Sequence, residues 1–161
     1  MTDWVESTLE LAQNVRRRAA EVCIANNGGY LVQTIGSAEI FATLFSRLMD
    51  LGPSNGPLVP VPFDGVPRPG EPAVEGSVYN GDRDRFFLSP AHYALGLYST
   101  LCEVGRLGEE VLAETNADGS TLEMIGAEHS PGFEATTGSL AQALSVAVGQ
   151  ALVRKRLNRP G

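Results

Sequence analysis

The sequence predicts an α/β domain that is mainly helical and contains little strand. Most of the chain carries apolar residues at helical spacing, and a single short segment has the composition of a strand. That segment leads directly into another helical pattern, which is the strand-to-helix order of α/β folds. A loop rich in Gly, Thr and Ser then precedes a long apolar run near the end of the chain.

Composition narrows the class of protein. The chain has 161 residues, of which 43% are hydrophobic and 19% charged, so it is long enough for one globular domain with its own core. A net charge of -7 argues against nucleic acid and anionic membrane surfaces as main partners. The beginning of the chain lacks the basic and apolar regions of a signal peptide, and no apolar run is long enough to span a bilayer. Cys23 and Cys102 lie in helical patterns without a CxxC pair, which predicts reduced core thiols and a cytoplasmic protein.

The first helix is predicted from about Asp3 to Ala25. Asp3 can cap it, and Glu6 stands three residues later as a capping-box partner. An apolar stripe at helical spacing predicts the buried face: Leu11, Val15, Ala19 and Val22. The run Arg16–Arg18 is interpreted as a solvated face or a subunit contact.

A turn at Asn26–Gly29 ends that helix, because Asn and Gly tolerate left-handed backbone. The stretch Tyr30–Gly36 is then expected to be a loop, and Ser37 is expected to cap a buried helix over Ala38–Met49. The predicted apolar face of this helix comprises Ile40, Leu44 and Leu48, with Phe41 and Phe45 beside it.

Residues 51–81 form a Pro- and Gly-rich excursion. Such a composition supports neither a helix nor a central strand. The segment is therefore expected to be a surface loop or a lid over a neighbouring site.

Arg85–Ser89 is the one strand that the composition predicts, and a helix running to about Val104 follows it. His92 then lies in the turn between strand and helix. In open α/β sheets ligands bind at the carboxyl ends of the strands, which makes His92 a candidate site residue. A structural histidine is the alternative.

The stretch Pro131–Gln142 is the second candidate site. It enters a predicted buried helix, Leu140 to about Leu157, and Thr137 or Ser139 can cap that helix. Free backbone N–H groups at a glycine-containing helix start favour a polar or anionic ligand. A capped, buried helix without a ligand is the alternative. A zinc site formed by Glu128, His129 and His92 is weakly supported, since no helical HxxxH spacing or further ligand accompanies them.

Three segments resemble one family, in the family's order. Pro131–Gln142 reads Pro-Gly-Phe-Glu-Ala-Thr-Thr-Gly-Ser-Leu-Ala-Gln and resembles the signature before the long helix of the transketolase N-terminal domain. Ile35–Ile40 resembles the start of that family's second helix, and Asp84–His92 resembles its strand-to-helix turn. Most transketolases have Ser-Gly-His-Pro-Gly where this chain has Tyr30 in a Gly-Tyr-x-x-Gln loop, so it resembles a divergent branch.

The resemblance implies a partial thiamine diphosphate-binding fold in which residues 1–161 form an incomplete N-terminal, diphosphate-binding domain. It implies a transferase that moves a two-carbon ketol unit between sugars with thiamine diphosphate and Mg2+. His92 would be catalytic and contact diphosphate or substrate, and Tyr30 and Gln33 would face the sugar. Backbone groups of three consecutive residues would meet the thiamine ring: Gly138, Ser139 and Leu140.

The same resemblance implies a partner. The family's metal-binding Gly-Asp-Gly strand and its pyrimidine-binding domain have no counterpart in these residues, so no metal ligand is assigned here. We therefore expect a split subunit or a fragment that is inactive alone and binds thiamine diphosphate weakly, in a homo- or hetero-oligomer completed by a second polypeptide segment. The alternatives are a non-catalytic regulatory partner and a related thiamine enzyme, such as a deoxyxylulose phosphate synthase. If the resemblance is set aside, the remaining alternative is that the chain is a helical interaction module.

Overall fold

The computed structural model describes residues 3–54, 56–60 and 83–159. Helical elements dominate this part of the chain, as predicted. In order they are α1 (Asp3–Ala25), α2 (Leu31–Thr43), a π-helical turn (Leu44–Leu48), a 3-10 turn (Ala91–Tyr93), α3 (Ala94–Glu103), a second 3-10 turn (Glu109–Glu114) and α4 (Gln142–Arg156). The helices α1, α2 and α3 pack on one another and form the core.

The first helix has the predicted bounds and nearly the predicted buried face. Val15, Ala19 and Val22 are buried, while Leu11 is partly buried at the edge of the same face. Asp3 and Glu6 both lie in the first turn, where carboxylates suit the positive end of the helix dipole.

The second helix begins earlier than predicted. It starts at Leu31, so the expected loop Tyr30–Gly36 is mostly helical and Ser37 is not its cap. Ser37 is buried inside the helix and its hydroxyl donates to the Gln33 carbonyl at 2.7 Å. A glycine inside a helix costs only about 1 kcal/mol relative to alanine, and packing of α2 against α1 and α3 outweighs that penalty at Gly36.

The predicted buried face of this second helix is confirmed only at Leu44, which is partly buried against the core. Ile40 and Leu48 are 61% and 67% exposed, whereas Phe41 and Phe45 are buried. The helix continues as a π-helical turn, in which the Met49 N–H donates to the Leu44 carbonyl five residues back. The π-turn shifts Leu48 away from the 3.6-residue period on which the prediction rested, whereas Ile40 lies before this turn, on the side of α2 that faces away from the core.

The third helix is the centre of the core. Nine consecutive residues, Ala94–Cys102, are buried, so α3 is enclosed on every side. Gly96 permits this close packing. A Cβ atom there would lie 2.9 Å from Cε2 of Phe41 on α2, closer than side chains tolerate.

The predicted strand Arg85–Ser89 does not form a ladder. No named strand occurs in residues 3–54, 56–60 or 83–159, where one isolated parallel bridge joins Leu58 and Leu107. A strand requires a neighbouring backbone, and this segment is instead bonded largely by side chains of a later loop. The α/β assignment therefore stays a prediction. The excursion 51–81 lies largely outside the described residues, so the choice between loop and lid is not tested.

The last helix forms as predicted but is not buried. It begins at Gln142 after Ala141, without a side-chain cap, so the capping roles assigned to Thr137 and Ser139 are wrong. Ala143 is its one buried residue. Large apolar side chains on and beside α4 are exposed: Leu140, Leu144, Val146, Val148, Leu152, Val153 and Leu157. None of the helices in the described ranges is long and apolar enough to cross a bilayer.

Both cysteines are free thiols, as predicted. Cys102 is buried on α3, and burial raises its pKa to about 12. Cys23 is only partly buried, and burial raises its pKa as well. Both thiols therefore stay protonated near neutral pH and are poor nucleophiles.

Candidate functional site

His92 lies in the 3-10 turn that opens α3, two residues after a cis peptide bond between Ser89 and Pro90. Its ring packs edge-on against the ring of Tyr30, with centroids 5.0 Å apart and planes at 81°. The structure thus brings together a predicted catalytic residue and a predicted substrate residue from distant parts of the sequence. Edge-to-face packing of this kind fixes the orientation of both rings.

The Nδ1 atom of His92 is buried and has no hydrogen-bond partner among the described residues. Buried polar atoms in folded proteins nearly always have one, and an exception requires an explanation such as a ligand or a water molecule. His92 can therefore offer a donor or an acceptor to a bound group.

A glycine turn places Tyr30 beside α1. Gly29 has a φ of +143°, and a Cβ atom there would lie 2.6 Å from Sγ of Cys23, so a side chain at this position would clash. Tyr30 follows directly and precedes the first residue of α2. Gln33 lies in the first turn of α2, three residues after Tyr30, a spacing that puts both on neighbouring positions of the helix surface. The substrate roles of Tyr30 and Gln33 stay predictions.

The loop that contains the predicted cofactor residues runs beside the segment before His92. Three contacts join the two stretches, and each connects residues 48 to 50 positions apart. A nearly constant separation means that the stretches run side by side in the same direction. Side-chain hydrogen bonds thus hold the segment Arg85–Ser89, which the sequence predicted to be a strand.

The first contact involves Glu134. Both its carboxylate oxygens are used: Arg85 forms an ion pair with Oε2, and the Phe86 N–H donates to Oε1 at 3.3 Å. The Glu134 side chain is only 5% exposed.

The other two contacts lie closer to the candidate site. The Thr137 hydroxyl donates to the Leu88 carbonyl, and the Ser89 hydroxyl donates to the Ser139 carbonyl at 3.3 Å. Ser89 is three residues before His92. The Ser89–Ser139 contact therefore brings the glycine loop beside the segment that leads into the His92 turn, and the site roles of His92 and Gly138 stay predictions.

The predicted cofactor residues are accessible. Gly138, Ser139 and Leu140 are all exposed, and a Cβ atom added at Gly138 would meet nothing within 4 Å. The backbone at Gly138 is therefore open to a ligand. Ala141, which follows, has a left-handed φ of 65°, a conformation that alanine adopts at a cost of about 1 kcal/mol.

Sequence reasoning missed Arg85 and Glu134 as parts of this site. Glu134 is in the motif, yet nothing in the spacing of the sequence pairs it with a residue 49 positions earlier. A charged residue at the start of an apolar, strand-like segment was the available signal at Arg85. Such a residue requires a partner when it is partly buried.

The second histidine lies in a different environment. His129 Nε2 is 3.0 Å from Oε1 of Glu123, whose backbone carbonyl accepts a hydrogen bond from the buried Tyr98 hydroxyl at 3.1 Å. The described residues contain no cluster of three or more His, Cys, Asp or Glu side chains that could hold a metal ion.

Comparison with known proteins agrees with the sequence motifs. The family model "Transketolase, thiamine diphosphate binding domain" matches residues 75–160, more than half of the chain. A transketolase family protein of Sinorhizobium fredii is 35% identical over 91% of this chain and 45% of its own length.

Two further relatives are named as subunits. The 6-deoxy-6-sulfo-D-fructose transketolase subunit of a Clostridium species is 32% identical over 77% of this chain and 38% of its own length. One of the apulose-4-phosphate transketolase subunits, from Actinobacillus succinogenes, is 28% identical over 92% of this chain and 47% of its own length. The chain thus spans less than half the length of these three relatives. The match over residues 75–160 contains both the His92 turn and the Gly138 loop, and the chain belongs to the transketolase family.

Proposed function

We propose that the chain is the diphosphate-binding part of a transketolase-like transferase that moves a two-carbon ketol unit between sugars. One observation carries the proposal. The Ser89–Ser139 hydrogen bond brings the Gly138 loop beside the turn of His92, whose buried Nδ1 has no partner among the described residues. A histidine and an open glycine backbone in one region suit a phosphorylated, ring-containing cofactor.

Thiamine diphosphate fits the residues present. His92 would donate a hydrogen bond to a diphosphate or substrate oxygen, with its ring held by Tyr30. The exposed backbone from Gly138 to Leu140 would contact the thiamine ring region, because no side chain covers Gly138. When bound, the cofactor supplies the carbon nucleophile and the electron sink, while the protein supplies orientation and charge.

The sugar would bind against Tyr30 and Gln33. Tyr30 presents a phenol hydroxyl and Gln33 an amide, groups that donate to and accept from sugar hydroxyls. Tyr30 is half-buried against His92, so a sugar bound there would lie next to the catalytic histidine. This chain would orient the sugar, hold the ring of His92 and offer a proton at His92.

The remaining walls of the site would come from a second polypeptide segment. Magnesium requires oxygen ligands in near-octahedral geometry, and the described residues offer no such cluster. The partner would therefore contribute the Gly-Asp-Gly metal motif and the pyrimidine-binding domain. Two relatives named as transketolase subunits support a multi-chain assembly, and the exposed apolar side chains of α4 provide a surface that such a partner would cover.

The decisive experiment is reconstitution. The chain would be co-purified with the product of the neighbouring reading frame and assayed for ketol transfer with a panel of ketose donors and aldose acceptors. We expect activity that requires both thiamine diphosphate and Mg2+. A pair without such activity would overturn the enzymatic proposal and favour a regulatory partner, and preference within the panel would separate transketolase from related thiamine enzymes.

His92→Ala in the reconstituted pair is expected to lower kcat by about 100-fold, the range typical of a lost proton-donating group. His129→Gln is the matched control, since His129 pairs with Glu123 and does not contact the Tyr30 ring as His92 does, and its activity should stay within about twofold. Equal losses in both variants would contradict the role of His92. The chain alone should bind thiamine diphosphate weakly, and micromolar, magnesium-dependent binding in calorimetry would contradict the need for a partner.

A further inference from the structure

We propose that Arg85 and Glu134 form a positioning pair that holds the His92 turn and the Gly138 loop in register. The inference deepens the proposed function and rests on it for its catalytic consequence. Neither residue is expected to touch the cofactor. Both act through the two stretches of backbone that carry the candidate site.

The geometry of Glu134 supports a fastening role. One carboxylate oxygen meets the Arg85 guanidinium and the other accepts the Phe86 N–H at 3.3 Å. Glu134 therefore binds both the Arg85 side chain and the backbone of the next residue, Phe86. With 5% of its side chain exposed, Glu134 is shielded from the water that weakens surface ion pairs.

This contact is the strongest of the three that join the stretches. The other two are single hydrogen bonds from the neutral hydroxyls of Thr137 and Ser89 to backbone carbonyls. Hydrogen bonds in which both partners are ionised are roughly twice as strong as neutral ones. Removing Arg85 would also leave the buried Glu134 side chain without its cationic partner. The register of the two stretches therefore depends mainly on Arg85 and Glu134.

Register matters for the candidate site because both stretches lead directly into it. Glu134 is four residues before Gly138, and Arg85 is seven residues before His92. The hydrogen bonds at Leu88 and Ser89 keep the two stretches aligned between the ion pair and the candidate site. A displacement of about 1 Å between reacting groups can lower a rate by about 100-fold.

The first test needs no cofactor. Amide hydrogen exchange would be measured on the chain alone for wild type, Glu134→Gln, Arg85→Met and the double variant. We expect exchange to accelerate at least tenfold in every variant at the hydrogen-bonded amides of the two stretches, which are Phe86 and Tyr93 in the first and Gln142 at the end of the second, with α1 and α3 unchanged. Acceleration confined to the substituted residue's own stretch, or spread evenly over the whole chain, would overturn the pair as a positioning device.

The second test uses the reconstituted pair of chains. We expect at least a tenfold rise in the Kd for thiamine diphosphate and a fall in kcat, with KM for sugar changing by less than threefold. The double variant should lose no more than either single variant, because the two residues act as one unit. Losses that multiply in the double variant, or a KM effect alone, would contradict the proposal.

Arg17→Met is the matched control. Arg17 pairs with Glu21 at 3.0 Å on the exposed face of α1, so this variant removes an ion pair remote from the candidate site. It should leave exchange, Kd and kcat unchanged.

If the exchange result holds while no assembly shows ketol transfer, the coupling of the two stretches stands and the proposed function fails. If ketol transfer occurs and Glu134→Gln leaves the Kd, kcat and exchange unchanged, the positioning role alone fails.

Discussion

The helices α1 and α4 bury very different shares of their side chains. α1 packs against α2 and α3 and buries five residues along one face: Thr8, Ala12, Val15, Ala19 and Val22. α4 buries only Ala143 and exposes leucines and valines around most of its circumference. An open groove of about 460 Å³ lies between α4 and the π-helical turn with its neighbouring segment 84–87. The part of the chain that precedes α4 thus has its own core, whereas α4 is apolar without a covering surface in the described residues.

The difference bears on how the molecule functions. An amphipathic helix such as α1 needs one neighbour, which the chain provides. A helix that is apolar on several faces is typically buried within a larger body. Contiguous exposed apolar surface in a folded protein marks an interaction site. The contrast therefore marks α4 as the surface on which the proposed partner segment would pack.

The largest effect on stability is expected in the core. Leu101→Ala, at a fully buried position of α3, should lower the free energy of unfolding by about 3 kcal/mol, because the lost side chain leaves a cavity. Urea denaturation of the chain alone would measure it. Leu144→Ala, at a position that is 68% exposed on α4, is the matched control and should change the free energy by less than about 0.5 kcal/mol. Equal effects at the two positions would mean that α4 is packed in solution as tightly as α3.

A smaller, stabilising effect is expected at the start of α4. Ala141→Gly relieves the left-handed backbone and should stabilise the helix start by about 0.5–1 kcal/mol, measured as slower amide exchange in the first turns of α4. Ala151→Gly, inside the same helix, should act in the opposite direction by about 1 kcal/mol. Faster exchange in Ala141→Gly would show that position 141 does not adopt the left-handed conformation.

The smallest effect concerns the ion pair between α1 and α2. Hydrogen bonding from the Arg16 guanidinium lowers the pKa of Glu39, and Arg16 also donates to the Ile35 carbonyl at 3.1 Å. A lowered pKa in the folded state stabilises the protein above the unfolded-state pKa, and this contribution is lost as pH falls through the folded-state pKa. Both side chains are partly exposed, so the contribution is small.

NMR titration would place the Glu39 pKa below its usual value of 4.5, and Arg16→Met should return it towards that value. A Glu39 pKa that does not respond to Arg16→Met would show that the pair is not formed in solution.

Local sequence patterns predicted the bounds of the helices better than they predicted which faces of the helices are buried. The bounds of α1 followed from periodicity and its polar first turn, and α4 formed within two residues of its predicted limits. The start of α2 was misplaced, because Gly36 resembles a loop residue and only packing against α1 and α3 makes it helical. Whether Ile40 is buried or exposed depends on which side of α2 meets the core, and no local pattern specifies that side.

The candidate site was predicted in part. Motifs singled out His92 and Gly138, and the Ser89–Ser139 hydrogen bond placed their segments side by side. Arg85 and Glu134 were not assigned, because their contact joins stretches 49 residues apart and leaves no periodic signal. Arg85–Ser89 was predicted as a strand on composition, yet strand formation requires a paired backbone that the composition does not reveal.

Residue type and periodicity specified the apolar helices and the free thiols, and the resemblance of short motifs to the transketolase family singled out the candidate site. These depend on contacts between residues close in sequence or on residue type, so they can be read from short windows. Folding in three dimensions decided which helix faces are buried, that side chains of Glu134 and Thr137 fasten the segment before His92, and that α4 remains uncovered in the described residues. Those features depend on long-range packing, in which the free energy of burying a surface is set by the partner that it meets.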